Sequence, residues 1–239
     1  MRQLAFLVVT TVVTTTSAGA CPKAASEVVD EWVWKNWSPA MMAGTFYEVA
    51  LRDPTQPRVC GCERSVKAVD AEGAISDTFS IRCPPTAAGT DYVVPLAFVQ
   101  TGTPGLMDAT CNFLEPFGTT TCPDYVVDVG TRRPGEPYPW VIEFQCVERT
   151  DRRQPGSLLF AGINFYSRSP DDPRALEAMN ASAYAHGLGP FIDGGRGLYV
   201  VNHTGCTYPD VVPSSARGGG EGNLRRPIES RAPYLSSAV

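Results

Sequence analysis

From residue 44 to residue 167 the chain is a run of strand-length segments separated by turn signals, and this constrains the fold more than any other feature. The segments 46–52, 65–70, 74–81, 92–101, 105–113, 125–129, 139–148 and 158–167 are rich in apolar and β-branched residues. They are bounded by Asp70-Ala71-Glu72-Gly73, Gly89, Thr103-Pro104, Gly130, Gly135-Glu136-Pro137 and Pro155-Gly156. Consecutive strands joined by short turns form an antiparallel meander. Eight is a number at which a meander can close on itself and remove its edges. The expected class is therefore all-β, an eight-stranded antiparallel up-and-down β-barrel.

The period then changes. Ser169-Pro170-Asp171-Asp172-Pro173 offers an acidic N-cap followed by Pro in the first turn. Leu176, Met179 and Ala183 recur with helical spacing, and Gly187 supplies a stop. One C-terminal α-helix is expected, then a short strand over 198–202. Beyond Pro209 the composition turns to Ser, Arg, Gly and Pro, so residues 210–239 read as a disordered tail.

The N-terminus sets the compartment. Arg2 is a short positive region and residues 4–13 are apolar. Ala18-Gly19-Ala20 has the small-x-small form of a signal-peptidase site. A membrane anchor needs about 20 apolar residues, and Thr14, Thr15 and Thr16 dilute this stretch. Residues 1–20 are therefore read as a signal peptide and the protein as secreted, with Cys21 first in the mature chain. A lipoprotein leader also places Cys after the cut, but usually carries Leu where Ala18 stands. In an oxidising compartment the eight cysteines read as a disulfide framework. Cys60-Gly-Cys62 alone does not make a zinc site, which needs a second close pair.

Composition excludes other classes. With 43% hydrophobic and 19% charged residues the chain is globular, and a net charge of −5 without a basic run argues against nucleic-acid binding. The two histidines leave little material for metal binding or catalysis: His186 sits at the expected helix end and His203 beside Cys206. G-x-S-x-G, P-loop, G-x-G-x-x-G and H-E-x-x-H motifs do not occur. No cofactor and no metal are expected. Asn180-Ala181-Ser182 and Asn202-His203-Thr204 are glycosylation sequons, whereas Asn36-Trp37-Ser38 is followed by Pro39.

Two segments carry a family resemblance. Ala43-Gly44-Thr45-Phe46-Tyr47-Glu48 resembles the first lipocalin signature, G-x-W-Y-E, with Phe in place of Trp. Phe165-Tyr166-Ser167-Arg168-Ser169-Pro170 resembles the third, whose Arg ends the eighth strand. Cys21-Pro22-Lys23, Cys146 and the end around Cys206 look like the apolipoprotein D subgroup, and the match spans residues 21–209. The second signature, T-D-Y, is replaced by Gly130-Thr131-Arg132 and a longer loop to Tyr138. The resemblance implies a domain over 21–209 and a barrel plugged at one end by Arg168 over the ring of Phe46. It implies Cys21–Cys146 and a bond from Cys60 or Cys62 to Cys206. Cys111 and Cys122 bracket a turn and are paired; Cys83 takes whichever of Cys60 and Cys62 is left.

Strand alternation then assigns phase. If Phe46 points inward, so do Glu48 and Ala50; if Arg168 does, so do Asn164 and Tyr166. On the seventh strand the phases are Trp140/Ile142/Phe144 and Val141/Glu143/Gln145. The tether at Cys146 favours Glu143 inside, and a bulge would reverse this. Phe98 and Met107 are taken as inward, with Leu96 and Leu106 as their alternates. The candidate ligand-binding set is Glu48, Ala50, Phe98, Met107, Glu143, Asn164 and Tyr166. The resemblance implies a secreted carrier for a small hydrophobic ligand such as a fatty acid, sterol or carotenoid. Two rivals stand beside it: a secreted interaction protein whose barrel is filled by side chains, and an enzyme acting on a bound isoprenoid, as violaxanthin de-epoxidase does, with Glu48 or Glu143 as the acid.

Overall fold

A computed structural model describes residues 20–84, 91–117, 121–130, 132–149, 156–194 and 197–208. The leader over 1–20, apart from Ala20, and the tail over 210–239 lie outside the described residues. The strands are β1 (Gly44–Arg52), β2 (Gly61–Val69), β3 (Ile75–Arg82), β4 (Tyr92–Gln100), β5 (Leu106–Thr110), β6 (Thr121–Val129), β7 (Trp140–Glu148), β8 (Leu158–Ser167) and β9 (Tyr199–Val200). Each of the first eight pairs antiparallel with its neighbour in sequence, and β8 and β2 both pair with β1, which closes the barrel. The short β9 adds to β1 at Ala50 and Leu51.

Three strand ends differ from expectation. β2 starts at Gly61 because the backbone there is drawn into sheet pairing despite a turn-like sequence. Cys62 adopts φ 54°, its N–H donates to Asn202 O at 3.1 Å, and a Cβ on Gly61 would meet the same Asn202 O at 2.6 Å. β5 stops at Thr110, since residues Asn112–Phe117 coil into a 3-10 turn. β6 begins at Thr121 and carries Pro123 within the ladder, opposite Asp108.

The expected helix is α2 (Pro173–Ala185). Asp172 caps it by accepting from Ala175 N at 3.0 Å, with Pro173 in the first turn. It buries Ala175, Met179 and Ala183, while Leu176 is half-buried. Two short helices were not expected: α1 (Glu31–Asn36), capped by Asp30, and α3 (Gly189–Asp193), which follows Gly187 after a single residue. Both are too short for an apolar period to show in sequence. α2 lies across β6, β7 and β8, and Phe191 of α3 packs on Phe144, ring centroids 5.0 Å apart. Four disulfides join Cys21–Cys146, Cys60–Cys83, Cys62–Cys206 and Cys111–Cys122. Among the described residues no helix is long and apolar enough to cross a membrane.

Candidate functional site

The barrel is shut at one end by Arg168. Its guanidinium lies 3.6 Å from the centre of the Phe46 ring. Nε donates to Tyr138 O at 3.1 Å, Nη1 to Thr45 O at 2.9 Å and Nη2 to Met41 O at 3.2 Å. One side chain thus ties the end of β8 to β1, to the 3-10 turn Pro39–Met42 and to the loop before β7. Burial lowers the Arg168 pKa to about 10, so the cation persists at neutral pH. The Gly of the first signature has a physical role here: Gly44 has φ +101°, and a Cβ would stand 3.0 Å from Arg168 Nη1. Trp37 stacks on Tyr138 at 6.0 Å beneath the plug.

Register fixes which side chains share the bore, because partners directly opposite in an antiparallel pair point to the same face. Phe46 opposes Ser65, Lys67 opposes Asp77, and Ile75 opposes Phe98. Phe98 opposes Ala109, Met107 opposes Asp124, Val126 opposes Glu143, and Glu143 opposes Asn164. Tyr166 opposes Glu48 and Val141. Glu143 is therefore inside, and Ile142, Phe144 and Cys146 form the outer face. Phe98 and Met107 are also inside. Leu96 is not the alternate of Phe98, since it opposes Asp77 on the same face two residues away.

Ala50 needs correction. β1 bulges between Glu48 and Ala50, so that Ala50 opposes Phe165 and Leu51 opposes Asn164. The extra residue reverses the phase, placing Leu51 in the bore and Ala50 on the outer face, where it is fully buried.

The bore has a charged middle. Lys67 Nζ stands 3.1 Å from Asp77 Oδ2 and 3.0 Å from Glu143 Oε1. It also lies 4.6 Å from the Phe98 ring centre and 5.3 Å from that of Tyr166. Ser65 Oγ donates to Asp77 Oδ2 at 2.6 Å. Burial lowers the Lys67 pKa, but Asp77 and Glu143 outweigh it and raise the pKa well above the ordinary lysine range. Asp124 is fully buried in the same layer, and neither of its carboxyl oxygens receives a hydrogen bond. Burial first, then the charge of Glu143, raise its pKa well above the usual carboxylate range.

Toward the other end lies a second acidic group. Asn164 Nδ2 donates to Glu48 Oε1, and Gln56 Nε2, from the loop after β1, reaches the same oxygen at 3.3 Å. Glu63 faces Glu48. Burial and the neighbouring Glu63 raise the Glu48 pKa strongly, and burial with the charge of Asp53 raises that of Glu63 to about 7. Both carboxyls are thus biased toward the protonated form. Tyr166 is also held neutral by burial and the surrounding carboxylates.

At the end opposite the plug the wall opens. β4 pairs with β5 only from Phe98 to Gln100, and Tyr92, Val93 and Val94 are exposed. Phe113 packs on Phe160 there, ring centres 5.0 Å apart.

Of the sequence-derived set, Glu48 and Asn164 meet directly, while Glu143, Phe98 and Tyr166 surround Lys67. Met107 lies beside Asp124, and Ala50 is elsewhere. Sequence reasoning missed Lys67, Asp77, Asp124, Glu63 and Leu51. Carrying the phase of Phe46 across the β1–β2 and β2–β3 pairs would have found Lys67 and Asp77; the bulges hide Leu51 and Glu63. Outside the barrel, Asp30, Asp128, Arg132, Ser182 and His186 cluster between α1 and α2. Ser182 Oγ donates to Asp128 Oδ2 at 2.6 Å and His186 Nε2 lies 3.2 Å from Asp30 Oδ2. Ser182 Oγ also lies 3.3 Å from His186 Nδ1, and the group ties α2 to the segment before α1 and to β6. Among the described residues no cluster of three or more His, Cys, Asp or Glu is arranged to hold a metal ion.

No family model matches the chain, and no curated protein matches it. Solved structures similar to it include apocrustacyanin C1 and lobster apocrustacyanin A1, at 14% and 11% sequence identity. Each has a TM-score of 0.47, with 65% of this chain and 77% of the other covered.

Proposed function

We propose that the protein is a secreted carrier that holds one small, largely apolar ligand in the barrel. The observation that carries this reading is a barrel plugged at one end by Arg168 and Phe46 and incompletely paired at the other, where the first half of β4 is exposed. Apolar ligand area buried there contributes about 25 cal/mol per Å², and a few polar groups orient it. Phe98, Met107, Leu51 and Tyr166 supply apolar contact, with Glu48, Asn164 and Glu143 as the polar set. Secretion is supported by four disulfides, which persist in oxidising compartments. The bonds Cys21–Cys146 and Cys62–Cys206 support the apolipoprotein D-like resemblance.

The test is native mass spectrometry of the protein purified from its culture medium, followed by titration with N-phenyl-1-naphthylamine, a neutral lipophilic fluorophore. A co-purifying small molecule or saturable one-to-one probe binding is the expected result. Failure of both rejects the carrier and favours a barrel filled by its own side chains. A second reading, acid chemistry on a bound isoprenoid, is favoured by the raised pKa values of the facing carboxyls Glu48 and Glu63. Release of an altered lipid on incubation separates it from simple carriage.

A further inference from the structure

The bore holds more acid than a carrier of neutral lipid needs. Glu48, Glu63, Asp77, Asp124 and Glu143 are all buried in it, against one inward cation, Lys67, among the described residues. Lys67 forms ion pairs with Asp77 and Glu143 and acts on Asp124 only through its field. Asp124 is fully enclosed, and neither of its oxygens receives a hydrogen bond, nor does Glu48 Oε2. A buried carboxyl left in that condition costs stability, about 1–3 kcal/mol for an unmet polar group and more when charged.

The chain itself shows which chemistry satisfies such a site. The Lys67 side chain is an alkylammonium inside the barrel, seated between two carboxylates and against the rings of Phe98 and Tyr166. Asp124 and the Glu48–Glu63 pair are the buried acidic groups without an ion-pair partner of that kind, and a second nitrogen cation would supply one. Its apolar body would run toward Phe160 and Phe113 at the open end. An anionic head group would meet five carboxyl groups against the single ammonium of Lys67, and among the described residues the donors are not arranged for a metal ion.

We infer that the ligand is a cationic amphiphile, an alkyl- or arylalkyl-ammonium compound whose charged nitrogen is received by Asp124 and the Glu48–Glu63 pair. This rests on the carrier reading above and names its ligand class.

The experiment uses three probes of one chain length: dodecylamine, dodecanol and dodecanoate. Each displaces N-phenyl-1-naphthylamine from the full chain at pH 7.5. Dodecylamine is expected to compete at a concentration at least tenfold below that of dodecanoate and severalfold below that of dodecanol. Asp124→Asn is expected to reduce the amine-to-alcohol preference at least fivefold. Glu63→Gln serves as a second variant should the first fold poorly, and is expected to reduce the same ratio. Dodecanol or dodecanoate binding as tightly as the amine overturns the inference while leaving the carrier intact. So does an unchanged ratio in a folded variant, read from its thermal melt. If neither the fluorophore nor any of the three binds, the carrier reading falls and this inference with it.

Discussion

Arg168 gathers three backbone carbonyls and one aromatic face under a single cation. Its loss would leave Met41, Thr45 and Tyr138 oxygens without their donor and the Phe46 ring without its cover. Arg168→Ala is expected to destabilise the fold by about 4 kcal/mol, at roughly 1 kcal/mol for each of the three hydrogen bonds and about 1 kcal/mol for the ring contact. Arg168→Lys should recover only part of this, because an ammonium cannot span three carbonyls in a plane. Urea unfolding of the three proteins decides it; a wild-type midpoint for the Ala variant would remove Arg168 from the plug. At the same scale the two sequons differ. Asn202 is exposed in the turn after β9, whereas Asn180 is half-buried on α2 beside Met179. In a eukaryotic host Asn202 is expected to carry a glycan more fully than Asn180. Glycosidase treatment should shift the gel mobility of the secreted protein, and Asn202→Gln should abolish most of that shift.

Elements explain what was legible in the sequence. The strands announced themselves through alternation and turn residues, and the plug through two segments at the ends of β1 and β8. Phase did not carry along a whole strand, because register shifts interrupt the β1–β8, β2–β3, β6–β7 and β7–β8 pairs. The bulge after Glu48 moves Ala50 out and Leu51 in, and the bulge between Val126 and Asp128 sends Asp128 out to meet Arg132 and Ser182. No residue type marks either bulge. Lys67 and Asp77 were invisible for another reason: a charged residue in a strand reads as solvent-facing unless its cross-strand partner is known. The β1 bulge makes a testable contrast. Leu51→Trp and Met107→Trp should fill the bore and lower N-phenyl-1-naphthylamine affinity at least tenfold. Ala50→Trp should instead overpack the outer face and destabilise by about 1–3 kcal/mol. Probe titration beside a thermal melt separates the two effects. A melt unchanged by Ala50→Trp together with lost binding would restore Ala50 to the bore.

At the scale of the whole molecule, four disulfides enclose a bore that repels itself. Cys21–Cys146 fixes the N-terminal segment to β7, and Cys62–Cys206 fixes β2 to the segment after β9, across sequence separations of 125 and 144. Such long loops are where crosslinks restrict the unfolded chain most. The buried carboxyls act in the opposite direction once they ionise. Glu63 has its pKa raised from 4.5 to about 7, and Glu48, Asp124 and Glu143 are raised as well, in each case first by burial. Between the ordinary carboxylate range and these raised values the folded protein holds protons that the unfolded chain releases. Stability is therefore greatest below about pH 4.5 as far as these groups decide it, and falls as pH rises through 7. The melting temperature is expected to decline steadily from pH 5 to pH 8, where many proteins are near their maximum. Glu63→Gln, which cannot ionise, should raise the melt at pH 8 and flatten the decline. Thermal melts of both proteins across that interval, at constant ionic strength, test this. A melting temperature that rises toward pH 8, or a Gln variant with the wild-type slope, would mean that the bore carboxyls are not kept protonated by the fold.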